Sequence, residues 1–181
     1  MTSRPVPSIE VVPYDPSWPT AFARARELIR DAVPESQVHH VGSTSVPGMV
    51  SKPTIDVLVC VPSSLASDRV TTALESVGYE FRPASFADSA ERHLFLRDLD
   101  RGRRQQHVHV VDLGSDLARD YLAFRDFLRA HPAEAADYAA AKLRLLQDSN
   151  GERAWYVDHK VAVVDAMIDS ARRWYDARGA K

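Results

Sequence analysis

The chain has a single cysteine, Cys60, in 181 residues. That excludes an internal disulfide and any cysteine cluster for zinc, and makes a reducing, cytoplasmic setting the expectation. Long hydrophobic runs are also missing. The longest, Val57-Leu58-Val59-Cys60-Val61, is far short of the ~18 residues a membrane span needs and has the length of a buried strand, so no membrane partner is expected. The opening Met1-Thr2-Ser3-Arg4-Pro5 lacks the apolar stretch of a secretory signal. Neither sign of charge is in excess: 23 Lys and Arg stand against 25 Asp and Glu, which gives no general attraction to nucleic acid. Repeats and low-complexity segments are absent, and nothing in the composition sets an oligomeric state. What is present, 45% hydrophobic and 27% charged residues, is the composition of one globular domain large enough to build its own core.

Read in order, a short strand is expected at Ile9 to Val12, followed by a helix opened by Asp15-Pro16 and running through Phe22, Leu28 and Ile29, with Arg24, Arg26 and Arg30 turned to water. Gln37 to Val41 reads as a strand that stops at Gly42. The stretch Gly42-Ser43-Thr44-Ser45-Val46-Pro47-Gly48 is the strongest loop signal in the chain. Thr54 to Val61 is a buried strand bounded by Pro53 and Pro62. Ser63 or Ser64 to Val77 has helical spacing with Gly78 as its stop, and Tyr79 to Arg82 is a short strand. Arg92 to Leu99 and Gln106 to Val111 alternate about a polar turn, a hairpin with a basic tip. The last third is helical: Asp116 to Ala130, a helix opened by Pro132, and a long one from about Gly151 to Trp174.

The chemistry is concentrated in a few places. Asp56 is the one charge in an apolar strand, and an ionised carboxylate there needs a cation, a set of hydrogen bonds or a raised pKa. It is read either as capping the nearby loop or pairing with Lys52 or an arginine, or as a ligand for a divalent metal that meets phosphate oxygens. Gly42, Ser43, Thr44 and Ser45 offer close backbone approach, hydroxyls and amides of the kind that hold phosphate, with Lys52 between them and Asp56. His107 and His109 stand two apart on a strand and so share a face; with Asp56 they would form a metal site suited to Mn²⁺, Fe²⁺ or Zn²⁺ more than Mg²⁺. His40, two before Gly42, is the neighbouring histidine chosen to line the cleft. Arg92, in the hairpin, and Lys160, four after Tyr156 on the last helix, are further candidates for phosphate binding.

Val41-Gly42-Ser43 followed by Asp56-Val57 resembles the nucleotidyltransferase superfamily, whose pattern is an apolar residue, Gly, Gly or Ser, and then Asp-apolar-Asp/Glu on a strand. Leu58 stands where the second acid would be. The longer run from His40 to Met49, then Lys52 to Val59, resembles the GrpB family more specifically. So do Tyr14-Asp15-Pro16-Ser17-Trp18-Pro19, His107-Val108-His109-Val110-Val111, Phe124 to Pro132, and Tyr156 with Lys160. Leu58 is normal for that family, which also occurs fused to dephospho-coenzyme A kinase. The resemblance implies one α+β domain over 1–181. Its nucleotidyltransferase-like mixed β-sheet core with flanking helices would span about 8–113, and its helical C-terminal part about 115–177.

The expected function is binding of a nucleotide, such as a nucleoside triphosphate, or another phosphorylated small molecule with a divalent metal, Mg²⁺ or Mn²⁺ or else Zn²⁺ or Fe²⁺. Transfer of a nucleotidyl or phosphoryl group to a small-molecule acceptor is the reaction this implies. In that reading Asp56, His107 and His109 are catalytic and metal-holding, and Gly42, Ser43, Thr44, Ser45, Lys52, His40, Arg92 and Lys160 bind phosphate or substrate. Two alternatives use the same fold: a small-molecule metalloenzyme built on the Asp-His-His set, and a non-catalytic accessory module of coenzyme A metabolism.

Overall fold

A strand that is apolar except at one position has to be covered on both faces, and Ile55–Val61 is covered on both. The computed structural model describes residues 10–82, 93–100 and 103–179. In chain order they form α1 (Trp18–Ala32), β1 (Gln37–Val41), one 3-10 turn (Ser43–Ser45), β2 (Ile55–Val61), α2 (Ser67–Ser76), β3 (Glu80–Phe81), β4 (His93–Asp100), β5 (Arg103–Asp112), α3 (Asp116–Ala130), α4 (Pro132–Asp148) and α5 (Arg153–Gly179). The strands make one mixed sheet in the order β1-β2-β5-β4-β3. β2 and β5 run parallel at its centre, and the other pairings are antiparallel. This is the α+β fold that the sequence implied.

Side chains alternate across a strand, so each strand serves two environments. On one face Val38, Val57, Val59, Val108 and Val110 pack with Ala25 and Ile29 of α1 and Val70 and Leu74 of α2. Several of these have no exposure at all, and burying each such valine or leucine stabilises by about 1.5–3 kcal/mol. On the other face Val41, Leu58, Cys60 and Val111 meet Ala118, Leu117, Tyr121 and Leu122 of α3. A third cluster joins Phe127 and Leu128 of α3, Tyr138 of α4 and Ala171 of α5 to Val46 and Met49 of the loop. The helical part is therefore seated on the loop between β1 and β2.

Element boundaries moved where local chemistry overrode periodicity. Asp15 does not begin the first helix: its carboxylate accepts from the Ser17 N–H at 2.8 Å and its carbonyl from Trp18, so it closes the turn that feeds α1. Of the strand expected at Ile9 to Val12, Val12 forms an isolated bridge to Ser51, and Ile9 lies outside the described residues. α2 starts at Ser67, later than expected, because Leu65 is first turned back by its N–H bond to the Pro62 carbonyl. α5 starts at Arg153, since Asn150 and Gly151 take left-handed φ values of 48° and 85° that no helix can contain. No described helix is long and apolar enough to cross a membrane.

Candidate functional site

The register places the site. Val41 stands opposite Asp56, Asp56 beside His107, and Leu58 beside His109, so Asp56, His107 and His109 project from the face that α3 covers. The apolar contacts of α3 lie around Leu58, Cys60 and Val111, farther along the strands, and Asp56 keeps 28% of its side chain exposed. Asp56 Oδ1 lies 3.4 Å from His107 Nδ1 and 3.9 Å from His109 Nε2. One ligand atom from each of the three residues falls within 4.8 Å of the others. Two rings and a carboxylate around one small volume have the spacing of donors that share an ion at metal–ligand bonds of about 2 Å. Tyr121 of α3 holds the far side of one ring, its hydroxyl 3.2 Å from His109 Nδ1, as a second sphere does for a ligating imidazole. His107 Nε2 is buried without a hydrogen-bond partner among the described residues. Burial acts to raise the Asp56 carboxyl, but hydrogen bonds from His107 and His109 outweigh it and hold the group well below the usual carboxylate range.

Gly42 fits this carboxylate as no other residue would. Its φ is +69°, and a Cβ there would collide with Asp56 Oδ2 and sit 3.0 Å from the Asp56 Cγ. The three hydroxyls after it have different fates. Thr44 donates to the Thr54 carbonyl at 3.3 Å and contacts His40 Nε2 at 3.0 Å, while Ser45 donates to the Gly42 carbonyl at 2.6 Å. Ser43 instead accepts from Lys142 Nζ at 2.9 Å. Lys52 is half-buried in the link into β2, where its carbonyl accepts from the Ser51 hydroxyl and the Thr54 N–H.

Three cations from the helical part reach the loop or the end of β1 that leads into it. Arg125 donates to the His40 carbonyl at 3.3 Å, Arg129 places two N–H groups on the Ser45 carbonyl at 2.9 and 2.8 Å, and Lys142 donates to both Ser43 and the Val50 carbonyl. Lys142 is 2% exposed and its ammonium lies 4.6 Å from the centre of the Tyr138 ring. Burial first, then the Lys160 charge, pull its pKa down to about 7 against the opposing pull of Asp56. Lys160 moves the other way: Tyr138 raises its pKa against the cost of burial, with Asp56 and Tyr156 adding to the rise. Asp56 thus acts at longer range on the charge of both lysines.

Of the residues chosen from the sequence, the structure gathers Asp56, His107 and His109 with Gly42 and Ser43, and puts Lys160 in the same electrostatic neighbourhood. His40 does not join them. Its position in β1 turns it to the opposite face, where it is stacked on Phe22 with ring centres 4.7 Å apart and burial pushes its pKa down to about 4. It supports the loop from behind through Thr44. Thr44 and Ser45 turn their hydroxyl protons inward. Arg92 lies outside the described residues. The residue missed is Lys142, although a signal existed: it lies four after Tyr138 on the stripe of α4 that turns to the core, where a lone cation is as anomalous as Asp56 in its strand.

Leu58, where the nucleotidyltransferase-like pattern expected from the sequence would have a second acid, is fully buried in the apolar cluster beneath α3. Among the described residues the cluster holds one strand carboxylate, Asp56.

Comparison with known proteins agrees with this architecture. The family model described as GrpB protein matches residues 8–170. A UPF0157 protein of Pseudomonas aeruginosa is 38% identical over 90% of this chain and 67% of its own length. The crystal structure of the conserved protein GrpB from Enterococcus faecalis superposes with a TM-score of 0.79 and 28% identity, over 92% of this chain and 99% of that one. The Cid1 poly(U) polymerase shares the fold at 16% identity and a TM-score of 0.52, over 73% of this chain and 42% of its own. With a matching family model over most of its length and relatives at this level of identity, the chain belongs to the GrpB family.

Proposed function

We propose that this chain binds a nucleotide or another phosphorylated small molecule together with one divalent metal ion held by Asp56, His107 and His109. The observation that carries the reading is the convergence of one carboxylate oxygen and two imidazole nitrogens within 4.8 Å, beside a glycine-serine loop. The donor set of two imidazoles and one carboxylate suits Mn²⁺, Fe²⁺ or Zn²⁺ better than Mg²⁺. A bound ion would supply neutralisation of phosphate charge. The chain itself supplies the rest: Ser43 offers a hydroxyl, Lys160 a half-buried ammonium, and Gly42 the close approach of backbone to carboxylate. The Cid1 polymerase structure is described with Mg and 3'-dATP bound, which makes a metal and nucleoside triphosphate pair the first ligand to try.

Transfer of a nucleotidyl or phosphoryl group to a small-molecule acceptor is the reaction this arrangement suits. It asks of the protein positioning and charge stabilisation, with no covalent intermediate on the chain. The buried Leu58 favours a second reading, a one-metal enzyme acting on a small molecule, in which a transition metal is held tightly and in stoichiometric amount.

Calorimetric titration of nucleoside triphosphates and dephospho-coenzyme A tests the proposal, run with Mg²⁺, Mn²⁺ and Zn²⁺ on wild type and Asp56→Asn. Metal-dependent binding by wild type that is lost in the variant is expected. Binding of no phosphorylated ligand with any of the three ions would overturn it, and one tightly retained transition-metal ion per chain would then favour the second reading.

A further inference from the structure

We infer that Lys142 is a positioning residue that acts through Ser43, fixing that hydroxyl as a hydrogen-bond donor to an anionic oxygen of the ligand. The inference rests on the phosphate-binding reading above. It follows from counting donors and acceptors. Of the three hydroxyls in the loop, Thr44 and Ser45 spend their protons on the carbonyls of Thr54 and Gly42. An ammonium has only donors, so in the 2.9 Å contact Lys142 donates and the Ser43 oxygen accepts. The Ser43 proton then has to point elsewhere, and among the described residues it meets no acceptor.

Lys142 does not present itself as a direct ligand. It is 2% exposed, its second hydrogen bond goes to the Val50 carbonyl, and the Tyr138 ring lies against its ammonium. The oxygens it touches are neutral, which leaves its charge balanced only at longer range by Asp56 of β2 and opposed by Lys160 of α5. The groups that tune it are therefore Asp56, Lys160 and, through Lys160, Tyr156, with Tyr138 on its own helix. A neutral amine at this place keeps two N–H donors but gains a lone pair that can accept from Ser43 and draw the hydroxyl proton back from the ligand. Lys142 sits at about 7, so it is charged and presenting Ser43 below that pH, and loses this hold as pH rises through it.

The probe is inorganic tripolyphosphate, titrated by calorimetry into Mn²⁺-loaded wild type, Ser43→Ala, Lys142→Met and the double variant from pH 6 to pH 9. Mn²⁺ affinity is measured separately by electron paramagnetic resonance. At pH 6 each single variant is expected to bind tripolyphosphate about tenfold more weakly than wild type, the size of a lost hydrogen bond to a charged group. The double variant should be no weaker than either single one, and Mn²⁺ affinity should be unchanged in all of them. The ratio of wild-type to Ser43→Ala affinity cancels the titration of tripolyphosphate itself, and it should shrink towards one as pH rises through about 7. This ratio remains readable if Lys142→Met fails to fold. Additive losses in the double variant, or a ratio that stays constant with pH, would overturn the inference. Wild type that takes up Mn²⁺ but binds no tripolyphosphate would overturn it together with the phosphate reading, which separates the two failures.

Discussion

The two faces of the central strands meet opposite demands with the same backbone. Val57, Val59, Val108 and Val110 face α1 and α2 and are sealed from water. One residue along, Asp56, His107 and His109 face α3, which packs over Leu58, Cys60 and Val111. Parity alone separates core from site. Strand order assists, because the parallel pairing of β2 with β5 sets the Asp56 carboxylate level with His107, and His109 follows two residues on along the same face. Polar groups are tolerated here because they are one another's partners and α3 adds a hydroxyl, whereas the polar groups described on the opposite face meet as separate pairs, His40 with Thr44 and Tyr79 with Gln106.

The sharpest way to break this contrast is to move the charge across the sheet. Val57→Asp puts a carboxylate where exposure is 0%; it should cost more than about 4 kcal/mol and leave the chain unfolded at room temperature, as read by circular dichroism in denaturant. Asp56→Asn should keep the cooperative transition.

Gly42→Ala tests the close approach on the site's own face. Strain at φ +69° together with the clash against Asp56 should cost roughly 2–4 kcal/mol in denaturant unfolding. Mn²⁺ affinity should fall with it.

His40, on the face opposite the cluster, is a group whose burial pH reads out. His40 is held neutral, its pKa lowered by burial from 6.5 to about 4. The unfolded chain therefore binds this proton before the folded one does. Stability is full above about pH 6.5 and falls as pH drops towards 4, by roughly 3 kcal/mol at most. Unfolding free energies of wild type and His40→Gln across that window should show the steeper fall in wild type; equal slopes would contradict the assignment.

Tyr121→Phe is the smallest change. It removes the hydroxyl at His109 Nδ1 and should weaken metal binding by about tenfold, with under about 1 kcal/mol lost in stability.

Much of this was visible in the residues. The lone charge in Thr54 to Val61 marked Asp56, and the spacing of His107 and His109 showed that they share a face. Periodicity located every long helix within a few residues. What sequence could not give was register. His40 and Gly42 look equally close to Asp56 along the chain, and only the pairing of Val41 with Asp56 shows that His40 looks the other way. Lys142 required the packing of α4 on the loop, a contact between residues 99 apart in sequence. The split among the loop hydroxyls depended on which carbonyls lie nearby, which composition does not encode.

Asp56, His107 and His109 are proposed to hold one metal ion. A crystal grown with Mn²⁺ and measured for anomalous scattering tests this directly. A single strong peak is expected at about 2.0–2.3 Å from Asp56 Oδ1, His107 Nδ1 and His109 Nε2. A map with no peak among these three atoms, or with its manganese bound elsewhere, would contradict it.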